Sequence, residues 1–493
     1  MIAETVQPRE LRNLKVTPRI SASPITSGTV IASSLLALVA TVLFLTNNEV
    51  LALYTVGAFI FCAVLTVVPP FWLAMLLVVL IPFENLITAL LGGFDSSGRQ
   101  WFALWKEALL AIGIFRVLWR NPNRNRIFLA NRPVLIWSGF LMLVYCITFI
   151  RLPSVPAVFS LDLETRFLGV MVFFMFLELD VKQINTLLRA MVLSVSCIAL
   201  YGIVQYVWDY DRLLPLMYHD ADLYAEGTRR LYSYALSAFD CAYGAVIAIL
   251  VLFVGAGRLK LHVALPCVVL LIPCLVLTYV RSAYLGLLIG ILLVCVVDRA
   301  RIIRHAVILG IALSLSCAAF VLAERSEISS NIDQRLHSII SQRDGSSVAH
   351  KERMEKAFQV ISTNPFGIGL GNSGIVQARF AGGVDNSEST ENWVLQVGVQ
   401  TGLLGPFAYL GLTGAILVSL LRTRHYRNSD MRLLRVSAGA VFVAMTAAGI
   451  MIPVWDHLLT SMYAWALVGA ALAGTSISPP SMHSQPYSAS TAR

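Results

Sequence analysis

Glu391 stands at the head of a strongly apolar run, in DNSESTENWVLQVGVQTGLLG (385–405), with Glu388 three residues before it. A carboxylate there can take a proton from a hydroxyl. It can equally be a favourable negative charge at a helix N-terminus. Arg353 lies in SVAHKERMEKAFQVIST (347–363), and Arg281 in TYVRSAYLG (278–286), between two apolar runs with no loop to solvate it. A charge that close to hydrocarbon is costly and is usually functional; the alternative is snorkelling to the interface. Arg229 and Arg230 fall in GTRRLYSYALSAFDCAYG (227–244), and Arg166 opens a further apolar run, where it is equally an interfacial anchor. The planar fork of arginine gives paired hydrogen bonds to phosphate oxygens, so these are candidates for holding an anion.

Two other patterns are weaker. Asp209-Tyr-Asp211 and Asp220-Ala-Asp222, near His219 and Glu226, could hold a divalent cation on phosphate, but a solvated acidic loop is the simpler reading. FGIGLGNSG (366–374) matches GxGxxG literally. The dinucleotide reading fails, because that motif needs a preceding strand and a βαβ unit. Gly367, Gly369 and Gly371 allow a tight turn. Free amides in such a turn can receive an anion, though a plain turn explains them on local grounds.

What positions these residues is a membrane. The 493 residues are 57% hydrophobic and 13% charged, against about 25% charged in soluble proteins. Apolar runs recur that can each cross a hydrocarbon core of about 30 Å as a helix, and the short alternating segments of a barrel are absent. The predicted class is all-α, a polytopic protein with about fourteen transmembrane helices, at 28–46, 50–68, 70–91, 102–119, 133–150, 165–179, 184–207, 235–256, 263–280, 282–297, 306–323, 393–421, 436–454 and 457–474. The net charge of +9 reflects basic cytoplasmic loops and not nucleic acid. The eight cysteines lie in apolar runs without a CxxC pair, which argues against disulfides or a metal site. The basic residues Arg9, Arg12, Lys15 and Arg19 precede a first helix read as retained.

Arg116, Arg120, Arg124, Arg126 and Arg132 share one connection; Arg299, Arg301 and Arg304 share another; Arg422, Arg424, Arg427, Arg432 and Arg435 share a third. Placing all three in the cytoplasm also puts the Arg258/Lys260 turn and both termini inside. The chain then divides into a cytoplasmic segment 1–27, eleven helices over 28–323, a large periplasmic loop 324–392, three helices over 393–474, and a disordered Ser- and Pro-rich tail 475–493. Outer segments 151–164, with Arg151, Asp162 and Glu164, and 208–234 face the same side. No internal repeat of the kind found in two-halved transporters is evident. Within the long loop, 347–363 has helical period with Met354, Ala357, Phe358 and Ile361 on one side, and Asn364-Pro365 ends it. Such a helix either lies on the membrane surface or packs on the loop itself.

The order Arg353, NPFGIGLGNSG, ENWVLQVGVQTGLLG, preceded by TYVRSAYLG and GTRRLYSYALSAFDCAYG, resembles the C-terminal signature of the O-antigen ligase and polymerase superfamily, bacterial membrane glycosyltransferases, over roughly 200–425. The family pattern there is an Arg, a turn like NPxxGxGxGN, then His-Asn-x-Tyr-Leu and Glu-Thr-Gly-Leu-Leu-Gly. This chain departs twice: Glu391 replaces His, and Gln400 replaces the Glu before Thr-Gly. The resemblance implies transfer of a glycan from undecaprenyl pyrophosphate to a sugar hydroxyl at the periplasmic face of the inner membrane, without metal or cofactor. Glu391 is then the candidate base, with Arg353 and Arg281 completing the catalytic group. Arg230, Arg229, Arg166, Asn392, Trp393, Gly369 and Gly371 are the substrate-binding candidates. Implied partners are the lipid-linked glycan donor, the glycan acceptor, membrane lipid, and chain-length regulator and flippase proteins, with no nucleic acid.

Because His at 391 is characteristic of ligases, Glu391 tilts the expectation toward a polymerase of O-antigen or exopolysaccharide repeats, with ligation onto a lipid or protein acceptor as the nearest alternative. A flippase would also explain the many helices. It would be expected to line a central cavity with charge, whereas here the ionisable residues concentrate at outer helix ends.

Overall fold

The computed structural model describes residues 62–92, 105–208, 224–225, 228–235, 237–297, 345–380, 390–422 and 429–473. The helices expected at 28–46 and 306–323, most of 50–68, the acidic residues Asp209–Asp222, Glu388, the start of the long loop and both terminal segments lie outside them. Residues 62–67 are helical and belong to a unit ending at Val67. The rest, from Val68 onward, forms the second unit.

In that unit the helices are α1 (Pro70–Leu80), α2 (Glu84–Gly92), α3 (Trp105–Arg120), α4 (Arg124–Ala130), α5 (Arg132–Arg151), α6 (Val155–Phe176) and α7 (Val181–Trp208). A two-residue hairpin follows, β1 (Tyr224–Ala225) against β2 (Thr228–Arg229). Then come α8 (Ala238–Val254), α9 (Leu261–Leu277), α10 (Arg281–Val297), α11 (Gly345–Thr363), α12 (Gly374–Phe380), α13 (Trp393–Thr401), α14 (Leu404–Leu421), α15 (Ser429–Ala448) and α16 (Leu458–Ala473). The fold is all-α, as its sequence predicts. Among the described residues five stretches are long and apolar enough to cross a membrane: 70–88, 132–151, 181–208, 404–421 and 430–448. Helices α8, α9, α10 and α16 are apolar but shorter.

Three boundaries differ from expectation. Helix α6 begins at Val155, ten residues before the predicted start, so 155–164 is helix and not outer loop. Ser154 caps it, its side chain accepting from the Ala157 amide at 3.1 Å, and a proline in the first turn suits a helix start. The run predicted as one helix over 393–421 breaks at Gly402 (φ +74°) into α13 and α14. Helix α15 starts at Ser429 and ends at Ala448, so Arg432 and Arg435 belong to its first turns and not to a loop.

The most extensive packing is between α10 and α15. A Cβ on Gly286 would lie 2.8 Å from the Ala444 carbonyl, and one on Gly290 would lie 3.2 Å from that of Ala440. Small residues on both faces let the two backbones approach, as is usual where lipid removes the hydrophobic drive to associate. This antiparallel pair fixes two ends. At one, Arg258 pairs with Asp430 at 2.7 Å, the Arg189 Nε donates to the Gly257 carbonyl, and the Asn131 amide donates to the Leu472 carbonyl. The described basic residues Arg132, Arg258 and Arg432 lie at or beside this end. At the other, the start of α10 meets the end of α15.

Candidate functional site

Glu391 lies at that second end, one residue before the cap of α13. Its Oε1 forms an ion pair with Arg353, and its Oε2 lies 2.6 Å from Nδ1 of His350. Arg353 and His350 sit one turn apart on the same side of α11. All three side chains are about 30% exposed, so the cluster is reachable from outside the fold. Glu391 has a φ of +45°. A non-glycine residue in that region costs on the order of 1–3 kcal/mol, and the surrounding contacts supply it. The Asn392 side chain caps α13, accepting from the Leu395 amide at 3.0 Å, and donates to the Ile450 carbonyl at 2.8 Å. The Trp393 amide donates to the Gly449 carbonyl at 2.9 Å. Asn392 and Trp393 therefore position Glu391 against the end of α15. Trp393 itself is 1% exposed, edge-on to Phe167 and Tyr409.

Helix α11 is held in place by α13. Ala357 and Ile361 bury against Leu395 and Val399, with Met354, Val360 and Ile368 beside them. The sequence leaves the membrane surface or the loop itself as the support of α11; its buried stripe instead meets α13, which follows the loop, with Ile368 of the loop beside it, and Phe358 is left 58% exposed. The glycine-rich turn then closes back on the C-terminal end of α13. The Ile368 amide donates to the Val399 carbonyl at 2.9 Å, the Gly369 amide to the Gln400 carbonyl at 3.0 Å, and the Leu403 amide to the Pro365 carbonyl at 3.1 Å. The first two, on Val399 and Gln400, are carbonyls a helix end leaves unpaired. The Gly369 amide is thus engaged, and Gly371 packs on Pro156, where a Cβ would come within 2.6 Å of the backbone. Both glycines serve a docking turn. Arg151 joins them through a 2.6 Å hydrogen bond to the Gly367 carbonyl.

The remaining arginines divide. Arg281 opens α10 at the same end, with only three residues between it and the end of α9, as the absence of a loop in the sequence implies. Gly286, just inside α10, faces Ala444 and Ala448, and Ile450, two residues past α15, receives Asn392. Arg281 and Glu391 are therefore brought to the same end. Arg230 follows the hairpin, its guanidinium 5.9 Å from the Phe239 ring, and the Leu231 amide donates to the Leu277 carbonyl at 3.0 Å, which ties that segment to the approach to Arg281. Arg229 ends β2, opposite Tyr224. Arg166 is placed elsewhere. It pairs with Asp162 and, at 3.0 Å, with Glu107, which joins Lys106 and Glu84 in a chain of charges between α2, α3 and α6.

Two groups were not among the site candidates read from the sequence. His350 is one; its spacing to Arg353 was visible, but its partner lies 41 residues away. Glu164 is the other. It is fully buried, accepts from the Tyr145 hydroxyl at 3.1 Å, and has Gln396 and Gln400 of α13 beside it. The second face of α13 therefore rests on a polar core, and the Gln396 amide also reaches Asp456 at 3.1 Å.

Burial and the nearby Arg353 guanidinium hold His350 below the ordinary imidazole value. A carboxylate oxygen accepts, so Nδ1–H of His350 donates in the contact with Glu391.

Residues 266–410 match the family model described as O-antigen ligase. The matched stretch holds Arg281, His350, Arg353 and Glu391 and leaves Arg166, Arg229 and Arg230 outside it. No curated protein matches the chain. The family match agrees with the resemblance in the sequence and is consistent with a membrane protein of the O-antigen ligase and polymerase superfamily.

Proposed function

We propose that this protein is an inner-membrane glycosyltransferase that polymerises oligosaccharide repeats carried on undecaprenyl pyrophosphate, working at the periplasmic face. The observation that carries the reading is the Glu391–Arg353–His350 cluster at the end of an apolar bundle remote from Arg132, Arg258 and Arg432. The reaction needs an attacking sugar hydroxyl to lose a proton and a departing pyrophosphate to be stabilised. Glu391 belongs to the acid–base part of the site. Arg281, with Arg230 and Arg229 nearby in the chain's path, suits the pyrophosphate, because guanidinium groups bind phosphate oxygens in pairs. Arg166, held by two carboxylates, is assigned to the bundle instead.

A second reading, ligation of a finished glycan to another acceptor, is favoured by a specific observation. The ligase signature has an imidazole where this chain has Glu391, and His350 brings an imidazole to that carboxylate from α11. The departure at 391 therefore separates the two reactions less than its sequence suggests. A deletion strain distinguishes them: loss of long chains with single-repeat products retained marks polymerisation, and complete loss of transfer to the final acceptor marks ligation. The site itself is tested with purified protein in proteoliposomes, supplied with lipid-linked oligosaccharide extracted from a deletion host and no energy source. Glu391→Gln and Arg281→Ala should each abolish product; full elongation by both would refute the assignment.

A further inference from the structure

Both carboxylate oxygens of Glu391 are engaged, Oε1 by Arg353 and Oε2 by His350. Each oxygen keeps a further lone pair, but an oxygen already held by a guanidinium or an N–H is a weaker proton acceptor. His350 has no such constraint. Its Nδ1–H donates to Glu391, which leaves the lone pair on Nε2 as the ring's second proton site, on a side chain 28% exposed. A carboxylate that fixes the tautomer and orientation of an imidazole is a recurrent way of preparing a base. Among the described residues the charged groups facing the ring are Glu391, which leads into α13, and Arg353 on its own helix. Helix α13, the element packed against α11, carries no titratable side chain.

We propose that Nε2 of His350 takes the proton from the attacking hydroxyl, and that Glu391 is its positioning carboxylate. The inference rests on the glycosyl-transfer reading above. As the hydroxyl oxygen bonds to the reducing-end carbon, its proton passes to Nε2. The bond from that carbon to the pyrophosphate oxygen breaks, and the electron pair leaves with undecaprenyl pyrophosphate. The imidazolium, with Glu391 beside it, then returns its proton to water. Arg353 keeps Glu391 aimed.

The test uses full-length protein in proteoliposomes with the extracted lipid-linked oligosaccharide, measured as initial rate against pH. Wild type should lose activity tenfold per pH unit on the acid side, with the limb below 6.5, because a protonated ring cannot accept. His350→Gln should lower the rate at saturating substrate by roughly 10²–10⁴-fold, leave KM within about twofold, and abolish that limb. In His350→Ala, added imidazoles should restore rate in proportion to their basicity, which a merely structural role would not give. Protease protection of α11 in each variant confirms that the helix is still docked. The proposal is overturned if His350→Gln keeps rate and limb while Glu391→Gln is inactive, since Glu391 would then be the acceptor itself. It is also overturned if docked His350→Ala is inactive and no imidazole restores it. If Glu391→Gln and Arg353→Ala both keep wild-type rates, the glycosyl-transfer site itself is misplaced.

Discussion

Whether α11 is held by α13 or by the membrane decides what positions Arg353 and His350, and one pair of substitutions separates these. Ile361 is 8% exposed and seats on Gly398, where a Cβ would meet its Cδ1 at 2.7 Å. Ile→Ala in a packed core costs about 2–5 kcal/mol. The cluster under α11 has only four buried members, so the low end, about 2 kcal/mol, applies. At about 1.4 kcal/mol per factor of ten, that shifts the docking equilibrium roughly thirtyfold. Protection of α11 from proteolysis or amide exchange follows the open population, so it should fall by about that factor in Ile361→Ala. Elongation should fall less, because only the competent fraction matters and docking in the wild type is in excess. Phe358, on the exposed side, should tolerate alanine with protection within about twofold, since exposed substitutions usually stay within about 0.5 kcal/mol. Protein in nanodiscs, digested in a time course and followed by mass spectrometry, gives both numbers. The reasoning is refuted if Phe358→Ala exposes α11 more than Ile361→Ala does, which would make the lipid surface its support.

Gly371→Ala should lower the melting temperature in nanodiscs, because a φ of +76° and a Cβ 2.6 Å from the Pro156 backbone combine strain with a clash; about 1–3 kcal/mol is expected for the strained backbone alone, and an unchanged melting temperature would show the turn is not a docking element. Arg166→Gln should destabilise the fold by leaving Asp162 unpaired and Glu107 with Lys106 alone. The loss should fall short of the roughly 3–5 kcal/mol of a fully buried pair, because Asp162 is 41% exposed. KM of the surviving enzyme should not change, and a raised KM at unchanged stability would return Arg166 to the substrate site.

Apolar length made most helices legible, because crossing hydrocarbon demands it whatever the neighbours are. The misses share one physical cause: partners distant in sequence. Asp162 and Glu164 look like loop residues and Arg166 like an interfacial anchor, yet α6 carries them into the bundle because Glu107, Tyr145 and Gln396 are there to receive them. The break at Gly402 is invisible in an apolar run, since only the carbonyl of Pro365 reveals that the chain turns there. The stripe on α11 was readable, but the surface it meets was not. The two departures from the family pattern show the same limit. Position 391 lacks the imidazole and 400 the carboxylate, yet His350 and Glu164 bring those groups to Glu391 and Gln400 from other helices.

Helix α13 is nine residues long, about 14 Å, and isolated helices below about 12–15 residues are marginal in water. Its caps come from outside it: Asn392 hangs on the end of α15, and the turn at 365–369 feeds its last carbonyls. Its stability therefore depends on the long helices and on α11 packed over it. The expected biogenesis then has two stages, insertion of the spans and a later closure over α13. A chain can be fully inserted and abundant in the membrane while catalytically unfinished, so expression level and inserted mass are poor proxies for function in any set of variants of this protein.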